Sequence, residues 1–265
     1  MKNRNPHNRG LAGHSTIWMG LCSISFCFLT AGHAMAQDTW DGGGGDGLWS
    51  NGINWVDDTA PAANANTGAL TFAGDLQTST NNDLTGLTAG AINFTNDNSL
   101  GKTGIFTLGG SNAVTLGGTI TTTASTGTIN DIIDLNLILN GNRTVSAAGS
   151  HSLTINGVIS ESVAGRNLSK AAGGTLTLTN SGNSFTGQVV ITNGTVSVNG
   201  IANSSLNSAV GAGSSLRIGS GNTTCNLTSL PGRPAQTAEC LSVTIRSRPR
   251  AELGSTITQP MDPAH

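Results

Sequence analysis

Residues 173–200 read GGTLTLTNSGNSFTGQVVITNGTVSVNG, and the reading of this stretch decides the fold. Within it Gly174-Thr175-Leu176-Thr177-Leu178 returns as Gly194-Thr195-Val196-Ser197-Val198, 20 residues later. A glycine turn, a short alternating strand, a polar corner and a second strand make up the unit. A step of that length is what one coil of a stacked β-solenoid requires. The phrase recurs as Gly68-Ala-Leu70-Thr-Phe72, as Gly90-Ala-Ile92-Asn-Phe94 and, more loosely, as Gly213-Ser-Ser-Leu216-Arg-Ile218.

Outward from this stretch the same grammar holds. Short strands are expected at Ala69–Ala73, Ala91–Thr95, Ile105–Leu108 and Ala113–Leu116, separated by Asn, Asp and Gly corners that tolerate positive φ. Thr128–Asn140 is the most apolar segment, and the alternation of Ile133, Leu135, Leu137 and Leu139 predicts one or two buried strands rather than a helix. His151 precedes another coil side, Ser152–Gly157, and reads as a corner residue. Ser160–Ala172, with Glu161, Arg166 and Lys170, reads as a looser corner.

Composition agrees with a narrow core. Glycine, threonine, serine and asparagine dominate, tyrosine is absent and charged residues make up 10% of the chain. Such a chain fills a thin aliphatic stack more readily than a wide globular interior. Disorder is the alternative that glycine and serine raise, but a flexible linker has no reason to keep a period of two. Between Gln37 and Thr224, five basic residues face eleven acidic ones, a balance of −6. That excludes the basic stripe by which nucleic acid is held, and it does not suit an anionic membrane surface.

The first 36 residues read as an export signal: Lys2, Arg4 and Arg9, then the apolar run Ile17–Ala31, then Ala34-Met35-Ala36 before Gln37. The apolar run falls short of the roughly 20 residues a spanning helix needs, so no stable membrane anchor is expected in this chain. Cys22 and Cys27 lack the small-residue context of a lipoprotein signal. Cys225 and Cys240 are the remaining cysteines, and an exported chain could join them.

Residues 37–67 read as an N-terminal cap. WDGGGGDGLWSNGINW places Trp40, Trp49 and Trp55 around a glycine run, and indoles of that size can cover the open end of a first coil. A glycan-stacking platform made of the same three tryptophans is the functional alternative.

The run Gly174–Thr179, the corner Asn183-Ser-Phe185-Thr-Gly187 and the closing Val190-Ile191-Thr-Asn-Gly194-Thr-Val196 resemble the autotransporter-associated β-strand repeat, also called the passenger-associated transport repeat. Phe185 stands where that family usually has tyrosine. The Trp/Gly-rich opening at 40–55 is similar to the start of exported regions in large bacterial proteins carrying such repeats. The resemblance covers these two segments. It implies a right-handed parallel β-helix outside the cell, associated with passage across the outer membrane, and a repeat with no catalytic residues to carry over.

The expected organisation is therefore all-β: a signal at 1–36, the cap at 37–67, a right-handed parallel β-solenoid at 68–224 and an atypical tail at 225–265. In the tail, proline and arginine replace glycine and asparagine abruptly. A linker or disordered tail is one reading. A shifted reading frame is another, since codons for Gln236–Cys240 can spell Thr-Asp-Arg-Gly-Val-Ser in a neighbouring phase.

Catalytic chemistry finds little purchase. Asp131 and Asp134 are near in sequence, but a three-residue offset puts them on opposite faces of a single strand, and a surface role is expected for both. No Gly-x-Ser-x-Gly turn accompanies His151 or His265. Gly42–Gly45 lacks the Lys-Ser/Thr of a phosphate loop, and Asp41 and Asp46 fall short of a full calcium shell. No cofactor and no metal are expected. The sequence predicts an exported structural or adhesive segment of a bacterial surface protein whose partners are extracellular glycans or proteins, with a polysaccharide-active enzyme or glycan-binding module as the rival.

Overall fold

The computed structural model describes residues 38–95, 104–123, 128–202, 205–213 and 215–218, together with the main chain of three further short strands at 225–229, 243–245 and 255–256. All of these belong to one compact unit, Ala34–His265. The segment expected to be an export signal, Cys240 and most of the tail lie outside the described residues.

Along the chain the strands are β1 (Asp38–Trp40), β2 (Asn66–Phe72), β3 (Ser79–Asn81), β4 (Thr88–Phe94), β5 (Thr107–Gly109), β6 (Val114–Leu116) and β7 (Ile120–Thr122). Then follow β8 (Asn130–Ile133), β9 (Leu137–Leu139), β10 (Arg143–Ala147), β11 (Ser152–Ile155), β12 (Ile159–Glu161), β13 (Leu168–Ala171) and β14 (Thr175–Leu178). The last are β15 (Val189–Ile191), β16 (Gly194–Val198), β17 (Leu216–Ile218), β18 (Cys225–Ser229), β19 (Val243–Ile245) and β20 (Ser255–Thr256). Pairing is parallel from β1 through β18, and each strand pairs with its counterpart one coil away. The molecule is thus an all-β parallel β-helix. Only β19 and β20 run antiparallel to their partners, β18 and β17.

Three faces emerge from the pairing. The first holds β1, the C-terminal part of β2 and β4, then β7, β10, β13, β15 and β17. The second begins on the N-terminal part of the long β2 and β4 and continues through β6, β9 and β12. The third holds β3, β5, β8, β11, β14, β16 and β18. The diagnostic phrase pairs with itself, Thr175 on Thr195, Leu176 on Val196, Thr177 on Ser197 and Leu178 on Val198. Its relatives at Gly68, Gly90 and Gly213 lie on the first face instead, so one phrase serves two sides of the coil.

Alternation sends every second side chain into the interior. On the first face the inward column is Leu70, Ile92, Ile120, Val145, Lys170, Ile191 and Ile218, all buried. On the third face Leu108, Ile133, Ile155, Leu178 and Val198 stack likewise. Thr128–Asn140 resolves into β8 and β9 with a corner between them, and Ile133, Leu135, Leu137 and Leu139 are all buried.

The corner Asn183-Ser-Phe185-Thr-Gly187 shows why the repeat uses those residues. Asn183 is buried; its Oδ1 accepts from the Ile159 amide (2.8 Å) of one coil, and its Nδ2 donates to the Ala209 carbonyl (2.9 Å) of another. Phe185 fills the interior beside it, and a Cβ at Gly187 would collide with the Arg166 carbonyl.

One expectation needs correction. Ser160–Ala172 is not a loose corner throughout, because β13 occupies Leu168–Ala171 and pairs with both β10 and β15. The alternation was masked because the inward residue is Lys170. The polar Ser79–Asn81 also forms a strand, β3, held by β5 and by a bridge from Leu48.

Candidate functional site

The cap is built on Asn54, which is fully buried. Its Oδ1 accepts from the Gly44 amide (2.8 Å), while its Nδ2 donates to Asp46 Oδ1 (2.8 Å) and the Leu48 carbonyl (3.0 Å). Asp46 also accepts from the Leu48 amide (3.1 Å) and from Asn51 Nδ2 (3.1 Å). The Leu48 amide, then Asn54 and Asn51, hold its pKa below the usual carboxylate range against the opposing effect of burial. Both carboxylate oxygens face N–H donors, the arrangement of a loop brace rather than of a calcium ligand. The glycines serve close approach: a Cβ at Gly47 would lie 2.6 Å from the Ser79 carbonyl, and one at Gly44 would lie 2.7 Å from Asn54 Oδ1.

Trp40, Trp49 and Trp55 are all 0% exposed. Trp55 meets Trp40 edge to face at 5.2 Å and Trp49 at 6.1 Å, and Trp49 lies over Phe72 at 5.5 Å. Trp40 pairs with Phe72 in register, and Phe72 stacks on Phe94 at 5.9 Å, so the indoles continue the core column to its N-terminal end. The Trp55 indole donates to the Trp49 carbonyl at 2.8 Å. Their rings lie against one another and against Phe72.

Asp131 and Asp134 do point apart, but the surface role holds for one alone. Asp134 is exposed and accepts from Asn156 Nδ2 at 2.7 Å. Asp131 is 0% exposed, on an inward column between Phe106 and Leu153, and its Oδ1 accepts from the Phe106 amide at 2.9 Å. It reaches back to satisfy an amide that precedes β5. His151 is a corner residue, as expected, yet it too is buried.

Glu161 accepts hydrogen bonds through both of its carboxylate oxygens. Oε2 accepts from the Arg166 amide (2.8 Å), and Oε1 accepts from the Thr186 amide (2.9 Å) and hydroxyl (2.6 Å). Burial acts to raise its pKa, and these donors outweigh burial and hold the pKa below its ordinary value. It clamps the loop after β12 to the next coil. Among the described residues, no group of three or more His, Cys, Asp or Glu is placed to hold a metal ion.

What the outer surface does offer is a ladder on the third face. One outward column runs Asn130, Ser152, Thr175, Thr195, and its neighbour runs Ser79, Thr107, Ile132, Thr154, Thr177, while Ser197, next in register, is buried. None of these residues carries a charge. Ser152 Oγ and Thr154 Oγ1 both donate to Asn130 Oδ1, at 3.0 and 3.1 Å, tying one coil to the next. At the following corner Asn156 Nδ2 donates to Asp134, and Thr179 Oγ1 donates to Asn156 Oδ1 at 2.7 Å. Apart from Ser79, the ladder was legible as strand residues from their alternation, but its lack of charge becomes a property of one surface once the register is known.

The fold and this surface define a parallel β-solenoid with an aromatic cap. No protein-family model matches the chain, and neither a curated protein nor a solved structure does.

Proposed function

We propose that the chain is an exported structural segment of a bacterial surface protein, a β-solenoid stalk whose outward ladders make adhesive contacts, and that it carries out no catalysis. The observation that carries this reading is the charge-free column pair on the third face, repeated coil after coil over a largely aliphatic core. Parallel strands about 4.8 Å apart present hydroxyl and amide groups at a fixed spacing, which suits an extended neutral partner such as an extracellular glycan or a protein surface. The burial of Trp40, Trp49 and Trp55 and the divergence of Asp131 from Asp134 both weigh against the polysaccharide-active rival.

The test displays the chain on beads or cells and measures adhesion to a panel of glycans and matrix proteins, alongside assays for released reducing or unsaturated sugars. Adhesion that falls at least several-fold when Thr154 and Thr177 are replaced by lysine, with no sugar released, supports the reading. Turnover of any polysaccharide sinks it, as does adhesion indifferent to the ladder.

A further inference from the structure

Of the five basic residues between Gln37 and Thr224, Arg143 and Arg166 come together at one corner of the solenoid, where the second face turns into the first. Arg143 opens β10, in register with Leu168 of β13. One residue back, Asn142 matches Asn167: the Arg143 amide donates to the Asn167 carbonyl (2.9 Å), and Asn142 Oδ1 accepts from the Asn167 amide (3.0 Å). The same register sets Gly141 beside Arg166. Arg143 folds back over Gly141, where a Cβ would stand 2.7 Å from its Nη2. Main-chain carbonyls pin its guanidinium: Nε donates to Leu116 (2.8 Å), Nη2 to Asn140 (2.7 Å) and Nη1 to Asn142 (3.4 Å). Two half-buried cations thus stand side by side on adjacent coils. Burial, and then the Arg166 charge, push the Arg143 pKa below its ordinary value.

Among the described residues, neither guanidinium is ion-paired. Glu161, the acid nearest to Arg166 in sequence, commits both oxygens to the Arg166 amide and to Thr186. The Arg166 guanidinium makes no hydrogen bond: its Nε is shut away from solvent without a partner, while its terminal nitrogens stay open. Like charges held together and partly desolvated are unfavourable alone, and an oxyanion seated between two planar forks relieves both costs. The surrounding side chains add donors. Asn142 and Asn167 turn Oδ1 to an amide of the next coil, Asn167 accepting from Gln188 at 2.8 Å, and leave each Nδ2 unbonded. We propose that this corner is an oxyanion site that takes a carboxylate of an acidic polysaccharide. The balance of −6 sets the surface as a whole against nucleic acid or an anionic membrane, whereas a sugar chain carries its carboxylates singly among hydroxyls that the asparagine amides suit. The corner lies off the third face, so the site stands independently of the ladder there.

The test titrates the full chain with polygalacturonate, with the same polymer fully methyl-esterified and with inorganic phosphate, reading Kd by calorimetry and stability by Tm. Arg166→Gln removes a guanidinium that bonds to no group of the protein. Its Tm is therefore expected to be unchanged or higher, while Kd for polygalacturonate rises at least about tenfold. Arg166→Lys keeps the charge without the fork and recovers part of that loss. Any affinity for the esterified polymer is the same with and without Arg166. The proposal is overturned if polygalacturonate does not bind, if its Kd ignores Arg166→Gln, or if both polymers lose affinity equally. Phosphate bound as tightly as the polymer overturns the assignment to a polysaccharide. A lower Tm or a failure to fold in Arg166→Gln also overturns it, since the guanidinium would then hold the corner together rather than await a ligand.

Discussion

Gly174 has no side chain because the coil above it leaves no room for one: a Cβ there would collide with the His151 carbonyl and stand 2.8 Å from that of Ala147. The contacts are backbone, which cannot swing aside. Gly174→Ala is expected to cost about 1–3 kcal/mol, the range for overpacking a tight interior, read as a lower Tm in a thermal melt. An unchanged Tm would mean that the corner is looser than described. Glycine at this position was legible from the repeat, whereas the buried ionisable residues were not. Asp and Lys are mostly exposed, so a pattern reading assigns them outward. Asp131 and Lys170 are inward because each meets main-chain groups on an adjacent coil, information that lies outside any single strand.

At the scale of elements, the Glu161 clamp gives a prediction with a definite sign. Its folded pKa is depressed, so its contribution is fully present above the unfolded carboxylate value and is lost as pH falls through the folded one. Glu161→Ala should speed hydrogen exchange at the amides of Arg166 and Thr186 near neutral pH, and the difference from the parent should vanish once acid protonates Glu161. Equal exchange at neutral pH would remove the clamp. Asp46 carries the same sign, so the cap loop around Asn54 is expected to loosen on the same acid side, as amide exchange at Leu48 would report. Many elements were readable from alternation alone; Thr128–Asn140 read as one or two strands and is two, while β7 and β10 went unread. β13 was not, because Leu168-Ser-Lys170-Ala hides its inward position behind a charge, and β3 was not, because its inward residue is Thr80. In the cap, the three indoles announced themselves, but the role of Asn54 follows from contacts that no spacing rule supplies.

For the whole molecule, each coil is stabilised by the coils on either side, so the unit is a stack in which local residues set corners and register sets everything else. The outward ladder and the packing of the indoles both depend on that register. Distance between spin labels on the third face tests it most directly. Ser79, Thr107, Ile132, Thr154 and Thr177 share one outward column. With native cysteines replaced, one nitroxide is fixed at Ser79 and the other is placed at Thr154 or at Thr177. Moving the second label advances it by a full coil of chain, yet the account predicts that the interspin distance lengthens by one strand spacing, about 4.8 Å, with both distributions narrow. A change far larger than one spacing, no change at all, or broad distributions would contradict the stacked-coil account.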